Sequence, residues 1–402
     1  MTQSSTEQIR NWSGLAVLSY GFRPFFLLGT LWAVFAMIMW ITMLAGGPIL
    51  PTQFDPVSWH AHEFLFGYLS AIIAGFLLTA VPNWTGRFPV VGGKLAWMVV
   101  LWLIGRTAVA ISNYIPSIWV SFIDLLFPLT LSVLMLREIL KAKENWGNIL
   151  ILGIFWIYIF ANGLFHFSSA QGEFAAQGLG LRLGLSAALM LVLVIGGRII
   201  PSFTRNWLVK TGSDVRPVPP MQPFDKFTLT LTIVGLSFWT LWPKHSATGI
   251  FLLVIAVLQL MRLLRWKGLK TGREPLVWAL HCGYGFVPLG ALCMGANILF
   301  SQNSGTAAAQ HIWMAGVIGL MTLALMTRVT LGHTAQIMHA NAATTGIYLA
   351  MIASVIIRSL VELIPGISVA LYSLSAMFWI AAFGGFIVIY GPILVRPKAS
   401  RT

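Results

Sequence analysis

Eight histidines stand in a chain that has only two cysteines and eleven acidic residues. Imidazole is therefore the main source of metal-ligating atoms. Its neutral nitrogen offers a lone pair at ambient pH and is a common ligand of metal ions and of haem iron. His60, His62, His166 and His311 fall near the outer ends of the second, fifth and tenth apolar runs, and His281 and His333 toward the inner ends of the ninth and tenth. His245 and His339 sit in connections and read as surface residues. Spacing limits how the rest converge. His60 and His62 point about 200° apart around a helix and share a centre only if the helix begins between them, for which Asp55-Pro56 supplies a start signal. His311 and His333 would lie roughly 33 Å apart in one helix and so belong to different sites. A lone membrane histidine is more often a hydrogen-bond donor between helices; several arriving from different helices shift the reading toward ligation.

Other ionisable residues lie within apolar runs, where each is costly unless paired. Arg106 and Asp124 both lie roughly 10–12 Å from the outer ends of their runs. An ion pair joining two helices is the simpler reading, and a proton or substrate relay the alternative. Arg23, Arg87, Arg198, Arg205 and Arg328 gather near the inner face beside Gly, Thr and Pro. Guanidinium groups there could hold carboxylates such as haem propionates, or act only as topogenic and snorkelling charges. Cys282 and Cys293 occupy one helix and form neither a disulfide framework nor a CxxC pair, so they read as packing residues.

The elements that must position these residues are set by composition. The chain is 57% hydrophobic and 9% charged, whereas soluble domains carry charge at roughly a quarter of positions. The expected fold class is all-α: a polytopic membrane protein of about 12 transmembrane helices with both termini cytoplasmic. The expected spans are 24–45, 60–81, 94–112, 117–136, 148–168, 178–199, 226–242, 247–262, 275–299, 308–327, 343–361 and 369–394. The pair 226–242 and 247–262 is the weakest, because each is short. Residues 1–23 form a cytoplasmic segment, 24–394 a single membrane domain and 395–402 a cytoplasmic tail. The first apolar run, Phe25 to Leu44, lacks a small-residue cleavage site and reads as a span.

Orientation follows from the basic residues, 21 of 25 of which fall on one side, as the positive-inside rule describes. The net charge of +14 is thereby accounted for by lipid-facing loops and needs no nucleic-acid partner. The longest connection, Thr204 to Asp225, holds Pro217, Pro219, Pro220 and Pro223 and should be an extended loop. Tyr20-Gly21-Phe22-Arg23-Pro24 is echoed by Tyr284-Gly285-Phe286-Val287-Pro288. Each precedes a helix with a histidine five residues ahead of a glycine, His62 and Gly67 or His311 and Gly316. Spans 1–2 and 9–10 read as parallel repeats.

Six stretches carry a resemblance: Gly21-Phe22-Arg23-Pro24-Phe25-Phe26, Trp59-His60-Ala61-His62-Glu63, Gly75 to Gly86, Gly196 to Asn206, Leu280-His281-Cys282-Gly283-Tyr284 and Met326 to Thr334. In this order the chain resembles the NnrS family of haem- and copper-containing bacterial membrane proteins. Phe64 stands where a methionine is expected and Ala335 where the family often has glycine. The resemblance implies a twelve-helix protein of the bacterial inner membrane, bearing haem b and copper and linked to nitric oxide tolerance and denitrification. It implies His60, His62, His281, His311 and His333 as metal ligands. Copper would take His60, His62 and His311 with His166, and haem b the pair His281 and His333, or the converse. The nitric oxide partner suits both metals, since ferrous haem and cuprous copper each bind it. A transporter with a histidine-lined path for metal or protons is the competing class, and a haem sensor or chaperone without turnover a third. Whether a reaction is catalysed is left open.

Overall fold

The structure is a computed structural model of the chain, described here for residues 13–85, 89–141, 146–301 and 305–397. Arg10, Arg87, Lys143, Lys398 and Arg401, among the charges used above, lie outside them.

In lipid every backbone N–H and C=O must find a partner within the protein, which leaves helices as the solution for apolar runs of this length. The described residues form helices α1 (Phe22–Leu44), α2 (Pro56–His62, Glu63–Tyr68 and Leu69–Thr85 in succession), α3 (Gly93–Ala110), α4 (Ser117–Leu140), α5 (Trp146–Ala170) and α6 (Leu179–Lys210). These are followed by α7 (Pro223–Leu241), α8 (Ser246–Leu264), α9 (Pro275–Phe300), α10 (Thr306–His311, Ile312–Leu320 and Met321–His333 in succession), α11 (Ala342–Leu360) and α12 (Ser368–Val395). Eleven of these are long and apolar enough to cross a membrane. The exception is α7, half of the pair read as weakest, with Asp225 and Lys226 in its first turn.

Several starts are written in local sequence. Asp55 caps α2 by accepting from Val57 N (3.0 Å) and Ser58 N (2.9 Å), with Pro56 at the first helical position. Glu274-Pro275 and Gln222-Pro223 open α9 and α7 in the same manner. Because α2 starts at Pro56, both His60 and His62 are already helical and their rings point apart. Pro201 lies inside α6, which runs on to Lys210, so the connection expected from Thr204 begins about two turns later. Ala335 adopts a φ of 63°, the left-handed region in which a Cβ costs roughly 1–2 kcal/mol; this is the position where the resemblance would place glycine.

The chain divides into two compact units: Met1–Gly184 with Val329–Ile337 and Phe386–Thr402, and Leu185–Arg328 with Met338–Gly385. In the first, α2 packs along α1 and α4, while α3 pairs with α4 and α4 with α5. The span of α2 is 89% buried, so its polar side chains must be satisfied by protein rather than lipid. Its middle piece, Glu63–Tyr68, is a π-helix. That wider turn is held by Trp102 Nε1, which donates to Gly67 O at 3.0 Å, Ser70 Oγ, which donates to the same carbonyl at 2.9 Å, and Tyr158 OH, which donates to Leu65 O.

In the second unit α8 packs on α7 and α9, and the middle of α10 packs on α9 and α11. Asp225 of α7 is neutralised by Arg262 Nε at 2.9 Å. Arg262 Nη1 donates to Tyr284 OH (2.8 Å), which donates in turn to Gln259 Oε1 (2.6 Å). Here too a π-helix, Ile312–Leu320, begins at the residue after a histidine, His311. The histidine-glycine echo therefore coincides with a recurrence of local backbone: an opening α-segment ending in histidine, then a π-turn.

Candidate metal centre

Asn162 and His166 are four residues apart on α5 and so lie on one face. Both reach Asp124 of α4: Asn162 Nδ2 donates to Oδ2 at 2.8 Å, and His166 Nε2 lies 3.0 Å from the same oxygen. The other oxygen, Oδ1, accepts from Arg106 Nη2 of α3. The ion pair read from the sequence thus joins α3 to α4, but it does not stand alone. Arg106 Nη1 donates to Glu63 Oε1 at 2.6 Å, and Glu63 Oε2 accepts from Trp32 Nε1 at 2.7 Å.

His62 closes the cluster. Its Nδ1 lies 2.9 Å from Glu63 Oε1, and its Nε2 lies 3.0 Å from Asn162 Oδ1 and 3.3 Å from Asp124 Oδ2. The change from α- to π-helix falls between His62 and Glu63, two neighbours that both serve the cluster; π-turns recur at functional sites. No side chain among His62, Glu63, Arg106, Asp124 and His166 is more than 4% exposed. Phe54 stacks on His62 with ring centroids 5.3 Å apart, and Phe165 and Phe66 flank the same ring at 5.5 and 5.6 Å.

Charge decides what this arrangement can hold. Two carboxylates and one guanidinium leave one negative charge uncompensated when both imidazoles are neutral. Both nitrogens of His62 face acceptor oxygens, yet a neutral imidazole carries one N–H. A cation is required at the other nitrogen, either a second proton or a metal ion. His62, Asp124 and His166 each direct one ligand atom so that all lie within 4.8 Å of one another. Two imidazoles and a carboxylate suit copper, zinc or iron. Glu63 then holds the remaining N–H of His62, the arrangement that orients metal-bound imidazoles. The residues present fit a metal ion.

Gly67 sits one π-turn after Glu63, where an added Cβ would meet Arg106 Nη1 at 2.5 Å and Glu63 Oε2 at 2.7 Å. Gly67→Ala is expected to destabilise the protein by roughly 1–3 kcal/mol through overpacking, read as a lower thermal midpoint in detergent. Gly153→Ala, where nothing lies within 4 Å of the new Cβ, should leave it unchanged.

The remaining candidates have other surroundings. His60 stacks on Trp40 with centroids 4.5 Å apart and meets Phe64, at the position where methionine is expected, at 4.8 Å. His311 belongs to the second unit, and its Nδ1 lies 2.7 Å from Ala307 O. His333 packs against the rings of Tyr20 and Phe22, each at 5.7 Å. His281 Nε2 lies 2.8 Å from Thr204 Oγ1, while its Nδ1 is buried with no hydrogen-bond partner beside Gly268, where an added Cβ would come within 2.4 Å of it. Only Nε2 of His281 is therefore engaged by a protein group. Arg23 Nη1 donates to the carbonyls of Ile393, Leu394 and Arg396 at 3.4, 3.0 and 2.6 Å, capping the end of α12. Arg328 lies over the ring of Phe203 at 3.7 Å, Arg198 is half-buried, and Arg205 is exposed.

Glu63, Asp124, Arg106 and Asn162 are the residues that sequence reading left apart from the histidines. The four-residue spacing of Asn162 and His166, and the similar depth of Asp124, are the signals that could have joined them.

A family profile described as NnrS protein matches residues 16–398. No curated protein matches the chain.

Proposed function

The chain belongs to the NnrS family, and on that premise we propose that this multi-pass protein works in the bacterial inner membrane, termini in the cytoplasm, as a metal-dependent protein that binds or processes nitric oxide or a related nitrogen oxide. The observation that carries the proposal is the buried His62–Asp124–His166 set, with one negative charge left over in its surroundings. Copper is the metal we assign to it. Bound there, it would supply one-electron redox chemistry toward small nitrogen oxides.

The chain's own residues prepare that centre. Glu63 holds the Nδ1 proton of His62, so that Nε2 presents its lone pair. Asn162 and Arg106 fix the two oxygens of Asp124. Phe54, Phe66 and Phe165 exclude water from the imidazoles, which strengthens electrostatic attraction to a cation. Haem b is the second cofactor we propose, on family membership.

One observation favours a second reading. A doubly protonated His62 would satisfy all of its acceptors without any metal, and a proton-binding site of this kind suits a transporter. Metal and haem quantification on purified full-length protein separates the two. The expected result is about one copper per chain, lost in the His62→Ala/His166→Ala double variant. Protein that contains no copper and takes none up on titration would replace the metal centre with the proton site. Absence of a Soret band would remove haem b from the proposal.

A further inference from the structure

Helix α6 is 32 residues long, about 48 Å, and outruns a hydrocarbon core of about 30 Å. Its last turns therefore stand at the level of the lipid head groups, on the side where the basic residues collect. There Pro201, Ser202, Arg205 and Asn206, successive positions on one helix face, form one wall of a pocket of about 480 Å³. The opposite wall is Arg216 and the segment 217–220, three of whose four residues are proline.

Three features make this a prepared site. The prolines restrict the backbone, and Val218 N donates to Arg265 O at 3.3 Å, tying the segment to the end of α8. Arg216 Nη1 donates to Val215 O at 3.0 Å and to Ser213 O, which sets the direction of its guanidinium. No residue lining the pocket is acidic, and among the described residues neither Arg205 nor Arg216 has a carboxylate at ion-pair distance. Two guanidinium groups with no anion of the protein's own, lining one pocket with the amide of Asn206, supply the kind of donors that phosphate oxygens accept.

We propose that this pocket binds a phosphate group, and that its source is the head group of an anionic phospholipid. The head-group level of the pocket favours a lipid over a soluble phosphate, because the diester arrives there already concentrated in the plane of the membrane.

The test uses full-length protein in detergent, with native mass spectrometry against added phosphatidylglycerol or phosphatidylcholine. Wild type should retain phosphatidylglycerol in preference. Arg205→Gln/Arg216→Gln should reduce that retention by about 10–30-fold. Lys210→Gln/Lys270→Gln, which removes two exposed charges outside the pocket, should keep it. An unchanged thermal midpoint in phosphatidylcholine establishes that the pocket variant is folded; if it fails to fold, Asn206→Leu and Arg216→Lys are read in the same way and should each weaken retention. Equal retention of the two lipids, or equal loss in the control variant, would overturn the proposal. Displacement of phosphatidylglycerol by millimolar inorganic phosphate would overturn the lipid source and leave a soluble phosphate as the ligand.

Discussion

Glu63→Gln is expected to weaken copper binding about 10–100-fold although it removes no ligand atom. Glu63 Oε1 lies 2.9 Å from His62 Nδ1 and accepts from Arg106 Nη1 at 2.6 Å. The amide keeps the shape of the side chain and can still accept from His62. What it removes is one of two carboxylate charges set against a single guanidinium, so the cluster loses its net negative charge and attracts a cation less strongly. Copper titration of the apo-protein reads the effect directly. The same substitution should leave the thermal midpoint of metal-free protein within about 1 kcal/mol of wild type, because it relieves an uncompensated buried charge while perturbing one hydrogen bond. Affinity equal to wild type would show that the charge of Glu63 does not contribute to cation binding.

The largest loss of stability is expected from Arg106→Met. A single guanidinium serves two carboxylates, donating to Glu63 Oε1 and Asp124 Oδ1, and its side chain is 4% exposed. Removing one partner of a buried pair typically costs about 3–5 kcal/mol; here two carboxylates lose their cation at once, so the cost should lie at or above the top of that range. Arg182→Met, at a half-exposed position in α6, is the comparison and should cost under about 1 kcal/mol. Thermal unfolding in detergent measures both. Combining Arg106→Met with Asp124→Leu should recover part of the loss, since the second change removes one of the stranded charges. If the double variant is less stable than Arg106→Met by the full cost of Asp124→Leu alone, the two residues are not coupled and the description of the cluster is wrong.

Twelve helices, several of their capping residues and the pairing of Arg106 with Asp124 are legible in the sequence. The reason is local: an apolar run in lipid has few alternatives to a helix, and Asp55-Pro56 states where one begins. His62 and His166 are equally visible as metal-binding candidates, because few other residue types here could ligate. The π-turns after His62 and His311 are not visible. Inserting a wider turn shifts a helix's register by one residue, and a run apolar on every side carries no stripe that would record the shift.

Tertiary structure alone decided the site. His62 and Asn162 are hydrogen-bonded across 100 residues of sequence, and no local pattern on α2 or α5 encodes which faces meet. Packing brought Glu63 and Asp124 to the same pair of imidazoles and set His60 aside on Trp40. It also placed one cation among two anions. The sequence by itself determined which side chains could bind a metal and that they lie within a membrane. Only their convergence determined that one negative charge is left unmatched, because charge balance in a buried cluster depends on which groups share it and not on how many the chain contains.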